Sequence, residues 1–327
     1  MRELTFTAAT REALTERMAV DPSIFVMGEG IGPRGGNFGT TLGLYEKHGP
    51  LRLCDTPIAE RGFVGLACGA AMTGARPIVD FMFLDFILDS VGEIFNQIAK
   101  MQYMSSGRLK MPVILRGCIG IGSSAATHHS SSYYSVFAHV PGLRVIVPSN
   151  PHDAKGLFRT ALRSDDPVLF LEHKNILHLK GPVPDESDEY TIPFGLANVA
   201  RVGRDVTVVS LGLMLRRALE AAEKLAGEGI SVEVIDLRTV APLDMPTVLT
   251  SLKKTGRILV VDETFAPFGV GAEVIAQVNE RGFDDLDAPP ARLNGAHTPT
   301  PYSPTLEAAV VPSFDAIAQA IRDVVAA

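Results

Sequence analysis

The fold is decided by residues 51–82, LRLCDTPIAERGFVGLACGAAMTGARPIVDFM. The stretch opens on a short β-rich run (51–54), passes a carboxylate at Glu60, and enters an apolar segment rich in small residues. That segment predicts a helix over 62–73, and the run from Pro77 predicts a strand over 77–82. Strand, helix and strand in that order read as one unit of a parallel sheet. Gly65, Gly69 and Ala70 recur at helical spacing, which lets the helix pack closely against a neighbour.

The same alternation extends outward in both directions. Further strands are expected at 24–27, 112–115, 144–147 and 168–171, with helices at 8–18, 89–103 and 152–163. Residues 181–194, GPVPDESDEYTIPF, turn polar, acidic and proline-bearing, as a domain linker does. A second α/β series follows, with strands at 206–210, 231–235 and 257–261 and helices at 214–227, 271–280 and 314–325. A chain of 327 residues is long for one core. The expected fold class is α/β in two domains, 1–180 and 196–327, joined by a linker at 181–195. Each is expected to hold a mainly parallel sheet flanked by helices.

Composition narrows the function. With 46% hydrophobic and 20% charged residues, the chain has the make-up of a globular protein with a large core. A net charge of −7 with scattered Lys and Arg excludes nucleic acid or an anionic membrane as the main partner. Cys54, Cys68 and Cys118 show neither metal-site spacing nor the density of a disulfide scaffold. A reducing, cytoplasmic setting is the expectation. No P-loop, nucleophile elbow or HExxH motif is present, nor a GDG-plus-Asn pattern that would hold a magnesium diphosphate.

Two sets of residues carry chemistry. Gly30-Ile31-Gly32-Pro33-Arg34-Gly35 matches GxGxxG, with Asp55 further on. A dinucleotide site needs a helix to begin inside that motif. Here the loop continues through Gly39, so a flexible surface or interface loop is the favoured reading. The second set is Glu60, Met82, Phe86 and His129, each placed past the carboxyl end of an expected parallel strand, where open α/β sheets bind ligands. Taken singly each has a plain reading. Glu60 is an acid favoured by the helix dipole, Met82 and Phe86 are core, and His129 sits in a polar loop, SSAATHHSSSYY. His128 and His129 are adjacent and diverge, with no third ligand evident, so they make a poor metal pair.

Longer segments carry a resemblance. They are DTPIAERGFVGLACGAAMTGARPI (55–78), VFAHVPGLRVIVPSNPHDAKGL (136–157), VIDLRTVAPLD (234–244), KKTGRILVVDE (253–263) and PTPYSPTLEAAVVPS (299–313). In order, and over nearly the whole chain, they resemble the beta subunit of the thiamine-diphosphate-dependent decarboxylase component of 2-oxo acid dehydrogenases. The pyruvate and acetoin types are the nearest match. The resemblance implies a transketolase-like pyrimidine-binding domain followed by a transketolase C-terminal-type domain. It also implies an alpha subunit that holds the magnesium and the diphosphate of the cofactor, in an assembly of two alpha and two beta chains.

By the same resemblance Glu60 shares a proton with the cofactor's pyrimidine ring, Phe86 packs on that ring, and Met82 lines its pocket. His129 stands at the channel mouth, orienting the intermediate or assisting acyl transfer to a lipoyl group. A structural potassium ion would map to Val113, Ala161, Leu162, Ser164 and Asp166, with Ser164 where an aspartate is common. Ser130-Ser131 follow His129 where Ser-Gln is usual, Tyr133-Tyr134 come next, and Gly92 replaces a frequent aspartate. These departures leave the substrate open between a 2-oxo acid and acetoin. Two alternatives stay open: a related two-chain thiamine enzyme that does not use lipoate, and a non-catalytic assembly subunit that holds an alpha subunit or the complex core, the lipoyl acyltransferase.

Overall fold

A computed structural model describes residues 1–185 and 189–327, and the chain separates into two compact units. The first comprises 1–119 and 136–194, the second 120–135 and 195–327. The segment 120–135, which carries His129, therefore packs with the second unit although it lies within the first stretch of sequence.

The first unit holds strands β1 (Arg2–Thr5), β2 (Ile24–Gly28), β3 (Leu53–Asp55), β4 (Arg76–Phe83), β5 (Ile114–Ile119), β6 (Arg144–Ile146), β7 (Val168–His173) and β8 (Lys180–Val183). Six of them run parallel in the order β6-β7-β5-β4-β2-β3. Strands β5 and β7 are buried along their whole length, as a sheet covered on both faces requires. The helix Glu60–Met72 packs on β4 and carries the chain from β3 back to it, as 51–82 predicts.

On one face the helices Phe6–Val20 and Pro151–Ala161 pack together through an ionic cluster. Lys155 is 0% exposed and pairs with Glu12 and Glu16, Arg159 reaches Glu16 at 2.7 Å, and Arg2 bonds Glu12 at 3.0 Å. Beneath them the fully buried Arg116 meets Glu172 at 2.6 and 2.8 Å and the Thr10 hydroxyl at 2.8 Å.

Two sequence expectations are corrected. Residues 181–183 are not linker. They belong to β8, which pairs antiparallel with β1, because the N-terminal segment supplies a partner that local composition does not reveal. Residues 186–188 lie outside the described residues, and 189–194 dock on the first unit. Tyr190 stacks on His152 at 4.9 Å, and Ile192 and Phe194 join the core. The expected helix over 89–103 is broken into a 3₁₀ turn (Leu84–Ser90), a π-helical turn (Glu93–Ile98) and one α turn (Met101–Met104). The wider π turn buries both Ile94 and Ile98, with Phe95 against Phe137 at 5.5 Å.

The second unit holds β9 (Asn198–Arg201), β10 (Val206–Ser210), β11 (Val232–Asp236), β12 (Thr239–Ala241), β13 (Ile258–Phe265) and β14 (Ala291–Gly295). Its five-stranded sheet runs β14-β13-β10-β11-β9, parallel except for β9 at the edge. Helices Gly212–Ala226 and Phe314–Ala326 cover it with apolar faces that meet Val206, Val208, Val232 and Val261.

Candidate active site

In the first unit the carboxyl ends of β3, β2 and β4 lie side by side, with Gly28 opposite Asp55 on one side and Asp80 on the other. Residues that follow these three therefore emerge at one sheet edge, the edge where ligands bind in open α/β sheets. Glu29 leaves β2, the turn into Glu60 leaves β3, and Met82 to Phe86 close β4 and the turn after it.

Glu60 is the first residue of its helix, and Ala59 before it offers no side-chain cap. A negative charge is favoured there by the helix dipole. The side chain is half-buried, and no hydrogen bond to it is recorded among the described residues. Its charge is felt by Glu29. Burial first, then the carboxylates of Glu60 and Asp55, push the Glu29 carboxyl above the usual range. Glu29 was missed in the sequence. An acid one residue past the end of an apolar strand is the signal that marks it.

Met82 and Phe86 are half-buried rather than core. Phe86 meets Phe83 edge-on at 6.1 Å, and Phe83 meets Phe38 edge-on at 5.3 Å, so three rings form a continuous wall. Met82 has φ +60, a left-handed backbone that costs a side-chain-bearing residue about 1–2 kcal/mol. Strained backbone of this kind collects at ligand sites. The thioether of Met82 touches the amide of Asn37.

Asn37 belongs to the glycine-rich loop, and the structure settles what that loop is. No helix begins within Gly30–Gly35; the next, Tyr45–His48, is a single turn. Asp55, the acid spaced for a ribose, accepts the Gly30 N–H at 2.6 Å instead. The loop is fastened to itself by Gly36 N–H to Gly30 carbonyl at 2.9 Å and Thr41 hydroxyl to Ile31 carbonyl at 2.7 Å. Gly36, at φ +81, is required, because a Cβ there would stand 2.6 Å from the Thr40 hydroxyl. The loop is held by its own hydrogen bonds, and no helix opens on it as a nucleotide cradle requires.

His129 is not brought into this cluster by its own unit. It ends a 3₁₀ turn, Thr127–His129, that packs with the second unit. Ser123, Ser124 and Ala126 all take positive φ just before it. Thr127 is tied to the Thr300 carbonyl at 2.9 Å and Ser132 to Glu263 at 3.1 Å. Thr127, Ser131, Tyr133, Glu263, Phe265 and His297 help to line a cavity of about 360 Å³. Tyr134 is fully buried and bonds Asp262, and burial followed by that carboxylate's charge holds its hydroxyl well above the usual range. Tyr134 thus fastens the turn to the second sheet rather than serving the cavity.

The residues assigned to a potassium ion lie in the turn that ends helix Pro151–Ala161 and on β5's approach. The carbonyls of Val113 and Ala161 accept the N–H groups of Val168 and Ser164 at 2.9 and 3.1 Å. The Asp166 carbonyl accepts the Ser164 hydroxyl at 3.1 Å, while its carboxylate meets Arg144 at 2.8 Å. Leu162 caps the helix, and the Ser164 carbonyl takes the Arg76 guanidinium at 2.8 Å.

Residues 2–180 match the description "Transketolase, pyrimidine binding domain", and residues 195–317 match "Transketolase, C-terminal domain". The acetoin:2,6-dichlorophenolindophenol oxidoreductase subunit beta of Cupriavidus necator is 47% identical, over 98% of this chain and 97% of its own length. The chain belongs to the family of 2-oxo acid and acetoin dehydrogenase beta subunits. The 2-oxoisovalerate dehydrogenase subunit beta of Bacillus subtilis is 43% identical, with 99% of both chains covered. The pyruvate dehydrogenase E1 component subunit beta-2 of Oryza sativa is 42% identical over 98% of this chain and 86% of its own length. A solved "Split gene transketolase, inactive beta4 tetramer" superposes with a TM-score of 0.78 at 22% identity, covering 97% of each chain, and shares the fold. These dehydrogenase beta subunits are oxidoreductase components of a thiamine-diphosphate-dependent family, built as subunits beside an alpha chain. Among the described residues no helix is long and apolar enough to cross a membrane.

Proposed function

We propose that this chain is the beta subunit of a thiamine-diphosphate-dependent dehydrogenase that decarboxylates a 2-oxo acid or cleaves acetoin and passes the acyl group to a lipoyl domain. The observation that carries the reading is Glu60: a half-buried carboxylate with no recorded hydrogen-bond donor, at the sheet edge where Met82 and Phe86 emerge. A flat, nitrogen-bearing ring fits such a set, since an aromatic wall and a thioether take its faces and a carboxyl takes a ring nitrogen.

When bound, thiamine diphosphate supplies the electron sink that the carbon–carbon cleavage requires. This chain's contribution is to hold the pyrimidine end. Glu60 keeps a proton at the ring nitrogen, Phe86 and its neighbours exclude water, and Met82 sets the position of the ring. His129 serves acyl transfer at the acceptor side. The diphosphate and magnesium belong to the alpha chain, in a cytoplasmic assembly of two alpha and two beta subunits. The pyrimidine-binding domain is read within residues 1–180 and the C-terminal domain within 196–327, with the connection following β8. The carbonyls of Val113, Ala161, Leu162 and Asp166 remain candidates for a structural potassium ion. Each carbonyl has a second lone pair, and hard cations take oxygens of any origin.

The test is reconstitution with the cognate alpha chain, thiamine diphosphate and magnesium. Glu60→Ala is expected to lower turnover about 10²–10⁴-fold, the range for losing a positioned proton-transfer group. Co-purification with the alpha chain should be unchanged. A Glu60→Ala complex that turns over at the wild-type rate overturns the assignment.

A further inference from the structure

The pairing of β4 with β5 is irregular between Asp80 and Phe83: Asp80 stands opposite Arg116 and Phe83 opposite Cys118. One more residue is present on β4 than on β5, so the strand bulges at Phe81 and Met82, and a bulge re-aims the side chains it carries. Met82 sits in that bulge at φ +60. Nothing in a methionine favours this conformation, so the surroundings must impose it.

The Asp80 side chain is 5% exposed and spans the bulge. One carboxylate oxygen accepts the Met82 N–H at 3.0 Å, which the bulge has removed from the ladder, and the other takes the Thr40 hydroxyl at 2.8 Å. Asp80 reaches this position because strand β2 presents a glycine to it. A Cβ on Gly28, at φ +154, would lie 2.2 Å from the Asp80 carbonyl oxygen. The neighbouring Arg116, held by Glu172, provides the positive charge that makes a buried carboxylate tolerable there.

We infer that Asp80 is a positioning residue for the reaction: by bonding the Met82 N–H it fixes the left-handed bulge that presents Met82 to the cofactor pocket. The inference rests on the reading of that pocket given under the proposed function. The sequence signal is a single acid inside an otherwise apolar strand, PIVDFM.

Two readouts test it on the complex with the cognate alpha chain. Before cofactor is added, methyl NMR of methionine-labelled beta chain, assigned with Met82→Leu, reports where Met82 stands against the Phe83 and Phe86 rings. Asp80→Ala is expected to move that resonance, and Asp80→Asn, which keeps an oxygen for the Met82 N–H, to return it. With cofactor present, Asp80→Ala should raise the apparent KM for thiamine diphosphate about tenfold, a loss of roughly 1.4 kcal/mol, with a smaller effect on kcat. Asp80→Asn should restore most of that loss. If Asp80→Ala does not assemble, Thr40→Val decides by the same two measurements.

An unmoved Met82 resonance in Asp80→Ala, or in Thr40→Val where that variant decides, overturns the inference. So does an Asn variant as impaired as the Ala variant. A wild-type complex without any thiamine-dependent turnover overturns the functional reading instead, and the NMR result stands apart from it.

Discussion

Glu29 and Glu60 share one sheet edge, and their repulsion has a measurable consequence. Burial and the charges of Glu60 and Asp55 raise the Glu29 carboxyl pKa. The folded chain therefore binds a proton more readily than the unfolded one between the ordinary glutamate value and the raised one. Stability falls as pH rises through that window, and the whole cost is present above it. Glu29→Gln should make the complex more stable at neutral pH and flatten this part of its stability profile. Thermal melts at several pH values check it, and a variant that melts lower than wild type at neutral pH contradicts the account. Glu60 itself shows how a position acquires a role. A first-turn acid needs only the helix dipole to explain it, yet the same helix start sets the carboxylate at the sheet edge beside Glu29.

At the scale of elements, the helix pair Phe6–Val20 and Pro151–Ala161 is joined by charge as well as apolar packing. Burial alone would raise the Glu12 pKa, but the hydrogen bonds from Arg2 and Lys155 prevail and hold it below the usual range. Lys155→Met leaves Glu12 and Glu16 paired only with Arg2 and Arg159 and should destabilise by about 1.5–3 kcal/mol, the scale for hydrogen bonds to charged groups. Because the Glu12 pKa is lowered, this contribution is full above the ordinary glutamate range and is lost as pH falls through the lowered value. The melting difference between Lys155→Met and wild type should therefore shrink on acidification; a constant difference counts against it. Elements whose cause is local were legible in the sequence: the parallel strands, the helix beginning at Glu60, and Gly212–Ala226 with its apolar stripe. Elements whose cause is distant were not. Strand β8 needs β1 from the other end of the first unit, and the Met82 bulge depends on side chains from three segments. Glycine spacing in 30–35 matches a nucleotide motif, but the loop residues that follow through Gly39 already disfavour that reading, and no helix begins there.

At the scale of the whole molecule, the residues of interest are divided between two units. Glu60, Met82 and Phe86 belong to the first, while His129 is fastened to the second through Thr127, Ser132 and Tyr134. On the proposed roles of Glu60 and His129, cofactor activation and acyl delivery should be separable by mutation. His129→Ala should lower acylation of a lipoyl domain about 10²-fold, the low end for a proton-transferring group, and affect dye reduction with the same substrate much less. Equal losses in both assays would place His129 in the cleavage step itself. A wild-type complex that reduces the dye but never acylates a lipoyl domain would favour the enzyme that does not use lipoate. The fastened glycine loop bears on the cofactor site proposed for this chain. Ordering a free loop costs about 1–2 kcal/mol per residue on binding. The loop from Gly30 to Thr41 is already tied by its own backbone and by Asp55. The beta chain thus offers a finished surface, and ligand affinity is not spent on freezing it. In the proposed assembly, ordering on cofactor capture would then come from the partner's side of the site, and its entropy would be decided there.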